Sequence, residues 1–152
     1  MSWVVFERVL RVLEFLIILG GIGFTLLQTN EILNNESSRK LDYILRFEDR
    51  LFSGKNQQIS VAIEHNQPLF EKKKFSDDDL DNYLGTISDI GSAYERRLLT
   101  DEDVYENFSD VIIHAYKNKD IQNYLKEIRL EDESYYQEFD SLALHEIEMS
   151  QK

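Results

Sequence analysis

Acidic side chains supply the densest chemistry in the chain. Asp77, Asp78, Asp79 and Asp81 crowd together, offering hard oxygen ligands of the kind calcium prefers. A helix-flanked calcium loop needs Gly at its sixth position and Glu at its twelfth. Counting from Asp77 puts Asn82 and Ser88 there. Counting from Asp101 fails earlier, at Tyr105. The carboxylates fit another use. In the first turn of a helix they oppose the positive end of the helix dipole, and Ser76 and Thr100 just before them are natural N-caps.

Other reactive types are sparse. His65, His114 and His145 lack the spacing that puts two imidazoles on one face of a helix. There is no Cys, which removes disulfides, thiolate zinc sites and thiol nucleophiles together. No Gly-rich phosphate loop or nucleophile elbow occurs, and Ser92 and Ser109 have no base at motif spacing. The sequence therefore assigns no catalytic residue, no cofactor and no metal ligand. An enzyme hidden here needs polar groups converging near Glu95 and His114.

Charge narrows the partners. The net charge is -12, unevenly spread: residues 1–55 hold seven acidic and seven basic side chains, whereas 22 of the 29 acidic residues lie beyond them. Such a surface repels nucleic acid and anionic headgroups. A basic partner, or a plainly solvating role, suits it better.

The elements that must position these groups begin with an apolar run at residues 9–27, in which Glu14 is the one ionisable residue after Arg11. Nineteen helical residues reach about 28 Å, close to the roughly 30 Å hydrocarbon core of a bilayer. Arg8, Arg11 and Trp3 flank the run as interfacial residues do. The expectation is a single-pass anchor in the cell membrane with the distal domain in the cytoplasm, and Glu14 engaged at the interface or against a partner. Beyond it, apolar residues recur at helical spacing from Leu41 to Phe52, Ile59 to Ile63, Leu80 to Tyr94, Val104 to Ala115, Ile121 to Ile128 and Tyr135 to Ile147. No strand pattern competes. The predicted fold is all-α: an N-terminal transmembrane helix followed by a small helical bundle, divided as anchor 1–30, juxtamembrane helix 31–55 and acidic helical domain 56–152. The helix expected from its cap at Ser76 to Arg97 and the next, starting at Thr100, form an antiparallel hairpin. The last helix is expected to open at Glu131–Ser134.

Within that hairpin, Gly-x-x-Tyr-Glu-Arg at 91–96 is followed by the acidic capped start carrying Asp101 and Tyr105. Together with the element order, this resembles the DUF4760-type domain of uncharacterised bacterial membrane-anchored helical proteins. The resemblance covers nearly the whole chain, implies the same fold and anchoring, and brings no activity. On physical grounds, Gly91 permits close helix approach, Tyr94 and Tyr105 close the hairpin, and Glu95 with Arg96 forms an internal ion-pair network. The functional expectation is a membrane-anchored protein-interaction or accessory module without catalytic activity. The alternatives are a self-associating membrane sensor or effector and a small enzyme.

Overall fold

The computed structural model describes residues 37–71 and 74–151, all of them helix, turn or connector. The chain divides into two compact units, Met1–Leu41 and Asp42–Lys152. Of the first unit only residues 37–41 are described, as helix. The second is a helical bundle. Among the described residues the helices are α1 (residues 37–51), α2 (Gly54–Glu64), α3 (Asp77–Glu95), α4 (Asp101–Lys117), α5 (Lys119–Ile128) and α6 (Gln137–Met149).

Local chemistry sets the boundaries. Gly54 has φ +55, a left-handed turn that L side chains resist, and it separates α1 from α2. The α3 start is a capping box: the Asp79 amide donates to Ser76 Oγ at 3.2 Å, and the Ser76 amide donates to Asp79 Oδ2 at 2.9 Å. Thr100 and Asp103 repeat the arrangement at α4, at 3.3 and 2.7 Å. The end of α3 is less conventional. Arg97 takes φ 60, and the Leu98 amide reaches back to the Ala93 carbonyl at 2.9 Å. This is a Schellman closure with Arg where Gly is usual.

The last helix starts later than its acidic run suggests. Asp132 Oδ1 accepts from both the amide and the hydroxyl of Ser134, at 2.8 and 2.7 Å, which folds the run into a side-chain-stabilised turn. Tyr136, at φ 58, then redirects the chain into α6.

The core forms around α3. Leu80, Tyr83, Leu84, Ile87 and Ile90 are each 0% exposed along one face of that helix. Against it come Ile59 and Ala62 of α2, Val104, Phe108 and Ile112 of α4, and Phe139 and Ala143 of α6. Phe47 and Leu51 of α1 join the same cluster. The broadest helix contacts are α4 with α6 and α3 with α6, so α6 lies over both arms of the hairpin. At the α3–α6 contact, a Cβ built on Gly91 meets the Glu138 carbonyl oxygen at 2.8 Å and Glu138 Cβ at 3.1 Å.

The membrane expectation is corrected here. Among the described residues no helix is long and apolar enough to cross a membrane. Even the longest, α3, carries Asp77, Asp78, Asp79, Asp81, Asp89 and Glu95, and desolvating such charges in lipid is costly. Residues 9–27 and Glu14 lie outside the described residues. Among the described residues the fold is accordingly a small all-α bundle with no transmembrane helix. Membrane contact through residues 9–27, single-pass cell-membrane placement and a membrane-anchored function have no spanning helix among the described residues to rest on and are withdrawn.

Two glycines of α3 make opposite tests. A Cβ at Gly85 meets nothing within 4 Å, so Gly85→Ala should raise stability by ~0.5–1 kcal/mol through helix propensity. Gly91→Ala gains the same propensity but drives a methyl into the α6 backbone, and should lower stability by about 1–2 kcal/mol net. Urea unfolding midpoints measure both; a Gly91→Ala protein as stable as its parent contradicts the close approach.

Candidate functional site

Two polar centres and one groove emerge from these helices. The first centre joins α3, α4 and α6. Tyr94 Oη donates to Asp101 Oδ1 at 2.7 Å, and His145 Nε2 lies 3.2 Å from the same phenol oxygen and 3.5 Å from Asp101 Oδ1. Since the phenol proton points to the carboxylate, the phenol oxygen accepts from His145 Nε2–H. The two rings lie 5.2 Å apart at 33°. The bond to Asp101, then burial, pushes the Tyr94 phenol up to about 12, so it stays a neutral donor through the physiological range.

Beside His145, Glu146 is 0% exposed, and neither of its carboxylate oxygens has a hydrogen-bond partner. Buried Ser109 on α4 lies near enough to favour the anion without meeting hydrogen-bond geometry. Burial dominates and raises the Glu146 carboxyl above the usual range. Its position has a simple cause: Phe139, Leu142, Ala143 and Glu146 follow the helical repeat and form the buried face of α6.

The second centre is a clasp. Tyr124 of α5 and Tyr136 ahead of α6 both donate to Asp81 Oδ1 at 2.7 Å. Arg129 pairs with Asp140 at 2.7 Å and donates to the Tyr135 carbonyl at 2.9 Å, holding the strained turn at Tyr136. Burial and the Asp81 bond both raise the Tyr124 and Tyr136 phenols. The acidic cluster thus has separate duties. Asp79 caps α3 and Asp81 ties down α5 and α6. Among the described residues no group of three or more His, Asp or Glu converges on a metal position.

The groove, of about 290 Å³, opens between α2, α3 and α4. Tyr83 forms its floor, 0% exposed, with Ser60 Oγ 3.4 Å from its hydroxyl. That separation is long for a hydroxyl pair, where about 2.7–2.8 Å is typical, so both hydroxyls keep bonding capacity. Burial pushes the Tyr83 phenol up to about 12, which keeps it protonated. Val61, Ile63 and Val111 give apolar walls, and Glu64, Asp110 and His114 are exposed at the edge. The Asp110 carbonyl can only accept, so His114 Nδ1–H donates to it at 2.6 Å and neutral His114 offers Nε2 as an acceptor. No Lys or Arg lines the groove.

No family model, curated protein or solved structure matches this chain.

Of the residues singled out by sequence, Gly91 lies buried at the α3–α6 contact and Tyr94 in the first polar centre. Glu95 and Arg96 are exposed at the end of α3, and neither makes an ion pair among the described residues. Tyr105 is 45% exposed on α4 and takes no part in the Tyr94 bonds. Glu95 and His114 do not converge: the hairpin brings Glu95 beside the start of α4, while His114 is about 20 Å further along that helix. Self-association and a protein partner find no support among the described residues. His145 and Glu146 escape motif searching, and Asp101 enters it only as part of a capped start, because their meeting depends on α6 crossing the hairpin. One signal for Glu146 was present: it follows Phe139 by seven residues, on the apolar stripe.

Removing the phenol hydroxyl isolates the first centre. Tyr94→Phe should keep the fold and cost about 1–2 kcal/mol, as two hydrogen bonds are lost and Asp101 remains solvated. Chemical denaturation checks this, and a cost near zero shows that the centre does not hold the helices together.

Proposed function

We propose that the bundle is a binding module for a small organic ammonium ion, seated in the groove between α2, α3 and α4. One observation carries this reading: the groove joins apolar walls to a rim of acceptors, with no Lys or Arg among its lining residues. A ligand must therefore bring positive charge and N–H donors to Glu64, Asp110 and His114, and an apolar body to Val61 and Val111. An oxygen on the ligand can meet the spare capacity of Tyr83 and Ser60. The volume lies at the low end of small-molecule sites, roughly 300–1,000 Å³, which favours a compact ligand. The strongly acidic chain concentrates cations around the groove.

The helix order and the Gly91–Arg96 motif also support kinship with DUF4760-type domains, which brings no activity with it. The binding reading replaces the membrane-anchored accessory module expected from sequence.

Phenethylammonium and phenylacetate, alike in ring and chain length but opposite in charge, make a direct test by two-dimensional NMR. The cation should bind with a Kd of ~1 mM or tighter, about −4 kcal/mol, and shift Val61, Tyr83 and Val111 while the anion leaves them unmoved. Tyr83→Phe should weaken an oxygen-bearing analogue, 2-hydroxyphenethylammonium, by roughly 3–10-fold. Asp110→Asn should weaken every cation and flatten the dependence on salt. Equal binding of the anion, or shifts confined to another face, overturns the reading.

A further inference from the structure

Glu146 is a cost with no local return. It occupies a core position, is fully buried, and leaves both oxygens unpaired. An apolar residue there would stabilise the bundle, because a desolvated carboxylate without partners is among the most expensive groups a core can hold. The groups facing it come from every helix packed against α6: Tyr94 from α3, Asp101 and Ser109 from α4, and His145 from α6 itself. Asp101 opposes a negative charge on Glu146, while Ser109 and a protonated His145 favour it. Burial outweighs them, so the neutral acid is the form that fits the closed bundle.

The two ends of α6 are held differently. Near its start, the Glu138 backbone sits against Gly91, Phe139 is 0% exposed, and Asp140 pairs with Arg129. Near its end, His145 bonds Tyr94 beside Asp101, but from Glu146 onward Ile147 and Met149 are only half-buried and Glu148 and Ser150 are exposed. Ionising Glu146 therefore acts on the weaker half.

We propose that Glu146 is a proton latch: the neutral acid seats the C-terminal half of α6 on α3 and α4, and loss of the proton to solvent releases that half while its N-terminal half stays anchored. The direction in pH follows from burial. Well below the usual carboxylate range, Glu146 is neutral in the folded and unfolded chain alike. As pH rises the unfolded chain ionises first, and the closed form loses relative stability until its own carboxyl ionises. Beyond that point the loss is constant. Asp79, whose carboxyl is held low by the Ser76 bonds, works in the opposite direction and destabilises only as pH falls.

Amide hydrogen exchange on the 152-residue chain tests the latch, followed from about pH 4.5 to about pH 8 and corrected for the intrinsic pH dependence of exchange. Protection of residues 143–149 should fall by ~10-fold or more across the range, while the α3 amides around Leu84 and Ile87 hold theirs. Glu146→Gln should flatten the profile of α6, and Glu146→Leu should do the same if the amide variant folds poorly. Ser109→Ala, which retains the carboxyl but removes the hydroxyl that favours its anion, should deepen the loss at neutral pH. The proposal is overturned if α6 and α3 lose protection together, if the variants at Glu146 keep the parent's profile, or if α6 protection does not change with pH.

Discussion

The bundle depends on one close approach. At Gly91 the surface of α3 is bare backbone, and the start of α6 fills the space with the Glu138 carbonyl. A side chain at Gly91 would hold the helices apart. With the contact made, the helical repeat decides the rest of α6: Phe139, Leu142, Ala143 and Glu146 turn into the core. His145 is carried to Tyr94 and Asp101 by the same rotation. The helix thereby locks both arms of the hairpin, which touch each other less than each touches α6.

Negative charge is the second theme, and its uses differ by place. Asp79 and Asp103 are spent on caps, where backbone amides would otherwise lack partners. Asp81 gathers two phenols, and Asp140 holds Arg129 against the turn before α6. Glu64 and Asp110 remain exposed beside the groove, free to attract a cation. Among the described acidic residues, Glu146 alone is buried without hydrogen-bond partners for its carboxylate. A net charge of -12 conceals these distinctions, because charge counts do not record burial.

Strain collects where the chain changes direction. Asn66, Arg97 and Tyr136 all take positive φ without being glycine. Each stands at a helix boundary, and the first two occupy the position after a helix where Gly normally relieves the carbonyls. At Tyr136 the surrounding bonds from Arg129 and to Asp81 over-determine the conformation. The acidic run ahead of it reads as a helix start because carboxylates favour that position, yet the Asp132–Ser134 bonds make a turn instead.

The sequence by itself determined the helical class, the apolar stripes of α3 and α4, the capped starts at Ser76 and Thr100, and the need for space at Gly91. These follow from interactions within one or two helical turns, which local spacing records. It also suggested an ion-pair network at Glu95 and Arg96 that the fold leaves exposed, and a membrane span in residues outside the described part. Only the tertiary structure decided that Tyr94 meets Asp101 and His145, that Asp81 clasps Tyr124 and Tyr136, that Tyr83 floors a groove, and that Glu146 is buried without hydrogen bonds. Tyr94 and His145 stand 51 positions apart, and Asp81 and Tyr136 stand 55 apart. Pairings at that range are set by how α6 lies across the hairpin, and local residue spacing carries no record of a crossing.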